Sequence, residues 1–273
     1  MIVKAYTNVY NLANGVMYST LACSFRNCAI MQPVTKTEET LATPSGQFVV
    51  LEGLDGSGKS VQFQMLADYL HRHEIPLATA DFPNYSGFYG KLVARYLNQE
   101  FGDVYEVDAH FSSILYAGDR LEAKPRLEKY LEEGRFLVAN RYVGANLAYH
   151  SVKLPAAKRP DFIEWVKELE YRVHGIPRED LTIFLHAPVA TAQQMVDRKA
   201  TRNYTTARRD IHERNAQYLE EVSQQFLWLC DAVPNWERLD VANNETGEYF
   251  PPQAIHERII ALLKNKSFLV NAD

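Results

Sequence analysis

The chain has 273 residues and a net charge of −5, with 47% hydrophobic and 23% charged residues. These values fit one large or two small globular domains, and no apolar run approaches the roughly 20 residues of a membrane span. The acidic balance argues against general binding to nucleic acid. The three cysteines, Cys23, Cys28 and Cys230, form no metal-ligand or redox pattern. We therefore expect a reducing compartment, the cytoplasm by default.

The N-terminal segment differs in composition from the rest of the chain. Its first 37 residues contain no Asp or Glu and are rich in Asn, Ser, Thr and Tyr. This composition resembles an organelle transit peptide, although the basic residues are few for that role. We predict that residues 1–45 are an N-terminal extension, either disordered or targeting, and that residues 268–273 are a C-terminal tail.

Strands alternate with helices along the remaining chain. The first strand, Phe48–Leu51, leads through a glycine-rich loop into a helix from Ser60 to about His73. Four further apolar runs predict strands, within 76–80 and at 136–139, 181–185 and 237–240. The intervening patterns predict helices at 90–98, 108–131, 161–173, 210–230 and 252–264, and one that begins at Pro188. We expect the long helix to bend at Pro125 and to end at Gly134.

This alternation predicts the fold class. Strands that are separated by helices pair in parallel, with helices on both faces of the sheet. We therefore predict an α/β fold, a doubly wound parallel five-stranded sheet, in one domain over residues 46–267. Ligands of such folds bind at the carboxyl ends of the strands.

The loop after the first strand carries the strongest chemical signal. Its sequence, Glu52-Gly-Leu-Asp-Gly-Ser-Gly-Lys-Ser60, fits the phosphate-binding pattern G-x-x-x-x-G-K-[ST]. Glycines let backbone N–H groups point at phosphate oxygens, Lys59 can reach the outer phosphates, and the Ser60 hydroxyl can ligate Mg²⁺. The helix N-terminus that follows also favours anions. These features predict a site for the phosphates of a nucleoside triphosphate, formed by Gly53, Asp55, Gly56, Ser57, Gly58, Lys59 and Ser60.

A basic segment at residues 198–209 indicates the reaction class. It holds five basic residues and no acidic one in an otherwise acidic chain. Arg side chains can stabilise the charge that spreads over a transferred phosphoryl group, and such a segment can close over ATP as a lid. A solvated loop is the alternative. The chain has no Asn-Lys-x-Asp motif, which argues against a GTPase.

Two further segments carry candidate groups for a second substrate. Tyr116 and Arg120 are four residues apart on a predicted helix and share a face, where a ring can stack on a base. Arg141 follows a buried strand, at the sheet edge that faces ligands. The alternatives are a core position for Tyr116 and a structural ion pair for Arg141.

These motifs, in this order and spacing, resemble the thymidylate kinase family of P-loop nucleoside monophosphate kinases. The resemblance covers roughly residues 46–266. It includes residues 52–60, Phe82-Pro83, 115–120, Asn140-Arg-Tyr142, Ala148-Tyr149, 180–185 with Pro188, the lid, and 213–218. The family phosphorylates dTMP with Mg·ATP and commonly forms homodimers. The resemblance thus implies ATP and dTMP as substrates, Mg²⁺ as cofactor and a homodimer.

The resemblance also implies a role for each matching residue. Lys59 and Ser60 would serve the ATP phosphates and Mg²⁺, and Asp55 would approach the acceptor sugar. The implied acceptor contacts are Phe82 at its turn, Tyr116 on the base, Arg120 at the base edge, Arg141 on the phosphate and Tyr149 beside the deoxyribose. Because the loop holds no internal basic residue, the catalytic arginine would come from the lid, from Arg198, Arg202, Arg208 or Arg209, and of these we predict Arg202 and Arg208.

Two departures from the family pattern leave alternatives open. Asn140 stands where the family usually has an Asp that helps organise metal and phosphates. Asn84, Tyr85 and Ser86 follow the Phe-Pro turn, where an acceptor-binding arginine is common. The alternatives are a kinase for another deoxynucleoside monophosphate and a nucleotide-binding paralogue with weak or lost catalysis.

Overall fold

The computed structural model describes residues 46–197 and 215–270. Over these ranges the strands are β1 Gln47–Glu52, β2 Leu77–Asp81, β3 Phe136–Asn140, β4 Leu181–His186 and β5 Trp236–Asp240. The α-helices are α1 Lys59–Arg72, α2 Phe88–Leu97, α3 Ala109–Glu132, α4 Val143–Ser151, α5 Arg159–Lys167, α6 Val189–Asp197, α7 Ala216–Ala232 and α8 Pro252–Asn265. The predictions for residues 1–45, for the lid at 198–209 with Arg202 and Arg208, and for a helix start at 210 lie outside the described residues.

The strands form one parallel sheet in the order β2-β3-β1-β4-β5. Side chains of β1 alternate between two hydrophobic cores, with Phe48 and Val50 in one and Val49 and Leu51 in the other. The first core includes residues of α3, α4, α5 and α7, and the second includes residues of α1 and α8. The predicted doubly wound five-stranded sheet is therefore confirmed, and the carboxyl ends of its strands share one edge.

The helices differ from the predictions in two places. Helix α4 was not predicted; eight of its nine residues are buried, so no amphipathic period marks it in the sequence. Helix α5 ends at Lys167 and continues as a π-helical segment, Glu168–Val173. Helix α3 runs through Pro125 to Glu132, which confirms the predicted helix at 108–131, and a bend at Pro125 stays a prediction. No helix of the described residues is long and apolar enough to cross a bilayer.

Candidate active site

The glycine-rich loop joins β1 to α1 at the carboxyl edge of the sheet. Gly53, Gly56 and Gly58 have φ values of 153°, 91° and 86°, a region that suits glycine. A Cβ atom at Gly56 would lie 2.0 Å from the carbonyl oxygen of Ala192, whereas one at Gly58 would meet nothing within 4 Å. The loop is thus packed against α6 on one side and open at the N-terminus of α1.

Lys59 and Ser60 begin α1 directly behind this loop. The buried ammonium group of Lys59 donates hydrogen bonds to the carbonyl oxygens of Gly53, at 2.9 Å, and Leu54, at 2.7 Å. Ser60 is exposed at the helix start. The structure therefore brings these two predicted phosphate and metal groups to one helix N-terminus, where an anion is favoured.

Arg141 is held over the loop by an ion pair. Its Nη2 donates to Asp55 Oδ1 at 2.7 Å, and its guanidinium carbon lies 5.3 Å from the centre of the Tyr149 ring. Burial alone would lower the pKa of Arg141, but Asp55, Tyr149 and Glu52 together raise it well above its ordinary value. Three predicted site residues, Asp55, Arg141 and Tyr149, are thus brought together, and the cation stays charged.

Glu52, the last residue of β1, forms the N-terminal cap of α4. Its buried Oε1 accepts hydrogen bonds from the backbone N–H groups of Tyr142, at 2.8 Å, and Ala145, at 2.9 Å. Burial raises the pKa of Glu52, while Arg141 and these N–H donors act to lower it. A Cβ atom at Gly144 would lie 3.1 Å from Glu52 Oε1 and 2.5 Å from the Trp236 ring. The strand that carries the loop is therefore fixed directly to α4, which carries Tyr149.

The last residues of the adjacent strands β2 and β3 form a second pair of polar side chains at this edge. Asp81 of β2 pairs in register with Asn140 of β3, and Asn140 Nδ2 donates to Asp81 Oδ1 at 2.8 Å. Although the Asp81 side chain is exposed, nearby protein atoms desolvate it and raise its pKa, against the lowering effect of Asn140, Arg141 and Lys59. A carboxylate thus stands beside the position where the family usually has one.

Tyr149 and Tyr116 lie on two helices, and His150, the residue after Tyr149, contacts Tyr116. The Tyr116 ring on α3 is 5.2 Å from the His150 ring on α4. His150 Nδ1 is 3.1 Å from Ser112 Oγ, to which Lys153 Nζ donates at 2.9 Å. Burial lowers the pKa of Lys153 to about 8. The two predicted aromatic residues therefore share one region, backed by a polar cluster that the sequence did not suggest.

Arg120 and Phe82 are buried away from the open loop. Arg120 is 1% exposed, and its guanidinium donates twice to Glu170, at 2.5 and 2.6 Å, and once to the Tyr142 carbonyl oxygen at 3.2 Å. Phe82, 3% exposed, packs against the Tyr142 ring at 5.6 Å. In this geometry Arg120 forms the ion pair of a buried network, and contact of either side chain with a substrate stays a prediction.

A cavity of about 600 Å³ opens beside the loop. It lies between Gly56–Gly58, helix α6 and the segment 247–252, and its apolar lining includes Val61, Met195 and Phe250. Residues 242–249 form a hairpin that is closed by an antiparallel bridge between Ala242 and Tyr249. The Tyr249 hydroxyl donates to the Gly56 carbonyl oxygen at 2.7 Å. The hairpin is therefore attached to the glycine loop itself.

Sequence reasoning missed three residues of this region. Asp81 had a usable signal, since it ends a predicted strand at the edge that faces ligands. The capping role of Glu52 had none, because its partners lie about 90 positions away along the chain. The Tyr249 contact joins residues that are 193 positions apart, and nothing local marks it.

Comparisons with known proteins agree with this geometry. The family model described as thymidylate kinase matches residues 51–248. The chain is 29% identical to the thymidylate kinase of Homo sapiens over 81% of its own length and 92% of that protein. It is 27% identical to that of Danio rerio, covering 81% and 94%. A solved thymidylate kinase structure from Candida albicans shares the fold, with a TM-score of 0.63 at 21% identity over 82% of this chain and 93% of that one. The chain belongs to the thymidylate kinase family.

Proposed function

We propose that this chain transfers the γ-phosphoryl group of ATP to dTMP, giving ADP and dTDP. The ion pair between Asp55 and Arg141 carries the proposal, because it sets a cation for the acceptor phosphate beside the donor loop. An acceptor phosphate oxygen attacks the γ-phosphorus as the bond to the β-phosphate oxygen breaks. Such transfers depend mainly on position and charge and need little base catalysis.

The donor side is formed by the glycine loop and the cavity beside it. Backbone N–H groups of residues 53–60 and the Lys59 ammonium hold the triphosphate. The apolar lining around Val61 and Phe250 suits a nucleobase, because pockets for cofactors and ligands are mostly apolar with a few polar groups. The hydroxyl of Tyr249 links the two parts.

The residues at this edge also fit Mg²⁺. When bound, the ion would neutralise negative charge that develops on the phosphates during transfer. Ser60 is exposed at the start of α1 and would be the protein's hydroxyl ligand. Within the described residues, no three His, Cys, Asp or Glu side chains converge on one point. An ion carried by nucleotide phosphates requires only one or two protein carboxylates.

The acceptor side is formed by α3 and α4. Arg141 binds the acceptor phosphate, Tyr149 lies beside the sugar, and Tyr116 stacks on the base. These assignments are supported by the proximity of Tyr149 to Arg141 and of Tyr116 to His150. The lid supplies the arginine, Arg202 or Arg208, that stabilises charge on the transferred group.

A coupled assay of ADP release tests the function directly. The full chain is supplied with Mg·ATP and with dTMP, dUMP, dCMP or dAMP in turn. We expect kcat/KM to be highest with dTMP. A higher kcat/KM with another acceptor would show that the chain is a kinase for that nucleotide, with the same mechanism. If ATP binds but no ADP is released with any of the four acceptors, the chain would instead be a nucleotide-binding paralogue that has lost catalysis, the alternative raised by Asn140.

We propose further that the chain forms a homodimer through α3. Phe111, Ile114 and Leu121 recur along this helix and are 45%, 43% and 38% exposed, and Phe88 of α2 is 68% exposed. Apolar side chains that recur on an exposed helix face commonly mark an interface. Ile114→Glu should convert a dimer to a monomer in light scattering, while Val173→Glu, at another exposed apolar residue, should not. A monomeric wild type would overturn this proposal.

A further inference from the structure

Asp81 and Asn140 stand next to the glycine loop in the order of the sheet. Strand β3 lies between β2 and β1, so Asn140 pairs with Asp81 on one side and with Leu51 on the other. Leu51 is two residues before Gly53, where the loop begins. The two polar side chains therefore border the site of the ATP phosphates.

The hydrogen bond between the two side chains fixes how the Asn140 amide points. An ionised carboxylate only accepts hydrogen bonds, so the Asn140 NH₂ group must face Asp81. The amide oxygen is consequently directed away from Asp81. Asn140 is 9% exposed, and its Oδ1 accepts no hydrogen bond from any described residue. A buried acceptor without a donor is costly, which points to a partner that arrives with a ligand.

Asp81 lies within electrostatic reach of the site's cations. Its hydrogen-bond partner Asn140 directly precedes Arg141, and both Arg141 and Lys59 act to lower the pKa of Asp81. The side chain is exposed and accepts a hydrogen bond from Asn140. A carboxylate in this position would repel a bare phosphate but would attract a cation carried by the phosphates.

We propose that Asp81 supplies the carboxylate for Mg²⁺ that the family usually places at position 140. Asn140 is the positioning residue: it holds Asp81 through Nδ2 and offers Oδ1 to the hydration water of the metal. The proposal rests on the ATP-dependent function above and identifies which residues serve its metal.

Moving the carboxylate from position 140 to position 81 requires a neutral residue at position 140. A carboxylate at position 140 would lie about as near to Asp81 as the present 2.8 Å hydrogen bond. Two carboxylates at that distance share a proton rather than both being ionised. Asp81 can therefore stay ionised only beside a neutral side chain such as Asn140. This relationship argues for an adapted metal site and against a site that has simply lost a catalytic residue.

The test measures the contribution of the metal to nucleotide affinity, without turnover. Calorimetry gives the Kd of the full chain for the β,γ-imido analogue of ATP, in saturating Mg²⁺ and in EDTA. The ratio of the Kd in EDTA to the Kd in Mg²⁺ measures how much the metal strengthens binding. This ratio is compared among wild type, Asp81→Asn, Asn140→Asp and the double variant that carries both substitutions. Asp231→Asn, at the far end of α7, is the matched control, and thermal unfolding confirms that each variant is folded.

We expect Asp81→Asn to reduce the ratio about tenfold, as loss of a metal-orienting group does. Asn140→Asp alone should not raise the ratio, whereas the double variant should return it to within about threefold of wild type. An unchanged ratio in Asp81→Asn, or a double variant no better than Asp81→Asn, would overturn the proposal. Absence of analogue binding in both conditions would overturn the ATP-dependent function as well.

Discussion

Arg141 Nη2 lies 2.7 Å from Asp55 Oδ1, and the Arg141 residue that makes this ion pair has a backbone φ of 65°. A residue with a side chain in this left-handed region is strained by about 1–2 kcal/mol. The ion pair and a 2.9 Å hydrogen bond from Arg141 N to the Leu51 carbonyl oxygen help hold it there. Strain at the end of a strand thus turns a cation toward the phosphate loop.

Arg141→Lys should lower kcat/KM for the acceptor about 10²-fold. A lysine keeps the charge but lacks the planar fork that binds a phosphate and a carboxylate together. Steady-state kinetics with varied dTMP measures the effect, and Arg72→Lys, at an exposed residue that ends α1, is the control. A change within threefold of the control would exclude Arg141 from the acceptor phosphate.

Tyr249→Phe should raise KM for ATP about fivefold and change kcat little. The substitution removes only the hydroxyl that donates to Gly56, and a net hydrogen bond contributes about 1 kcal/mol. Kinetics with varied ATP is the measurement. Tyr130→Phe, on α3 away from the loop, should behave as wild type; equal effects in both variants would contradict a specific link to the loop.

Arg202→Ala and Arg208→Ala should separate the two lid candidates. Loss of the arginine that stabilises the transferred group is expected to lower kcat by about 10³-fold, with a small effect on the Kd for ATP. Single-turnover rates and calorimetry give the two quantities. If each variant retains a third or more of the wild-type rate, the catalytic charge does not come from either residue.

Glu179→Gln should change how stability depends on pH. Burial raises the pKa of Glu179 from 4.5 to about 7, so the native state binds a proton more tightly than the unfolded state. The free energy of unfolding of wild type therefore loses a contribution as pH rises between these values. The variant keeps an acceptor for the Tyr171 hydroxyl, which is 2.7 Å from Glu179 Oε2.

Urea unfolding at pH 5 and pH 8 measures this difference. The stability of Glu179→Gln relative to wild type should be greater at pH 8 than at pH 5. Glu132→Gln, on the exposed surface of α3, is the matched control. An identical offset from wild type at both pH values would contradict the raised pKa.

The sequence predicted the sheet because its signals are local. The run Phe48–Leu51 and the glycine pattern after it are contiguous, and strong alternation of strands and helices allows few other arrangements. Helix α4 escaped prediction because it is buried on nearly all sides and is capped by Glu52 from a distant strand. Arg120 shows the same limit: its spacing to Tyr116 was a local observation, whereas Glu170, its actual partner, lies 50 positions away.

The cap that Glu52 forms on α4 also bears on how acceptor preference can change. Since the Glu52 carboxylate joins the strand with the donor loop to the helix with Tyr149 through hydrogen bonds from two backbone N–H groups, any shift of that helix would disturb the ATP site as well. Redesign toward other nucleotides should therefore leave Glu52 and the start of α4 unchanged.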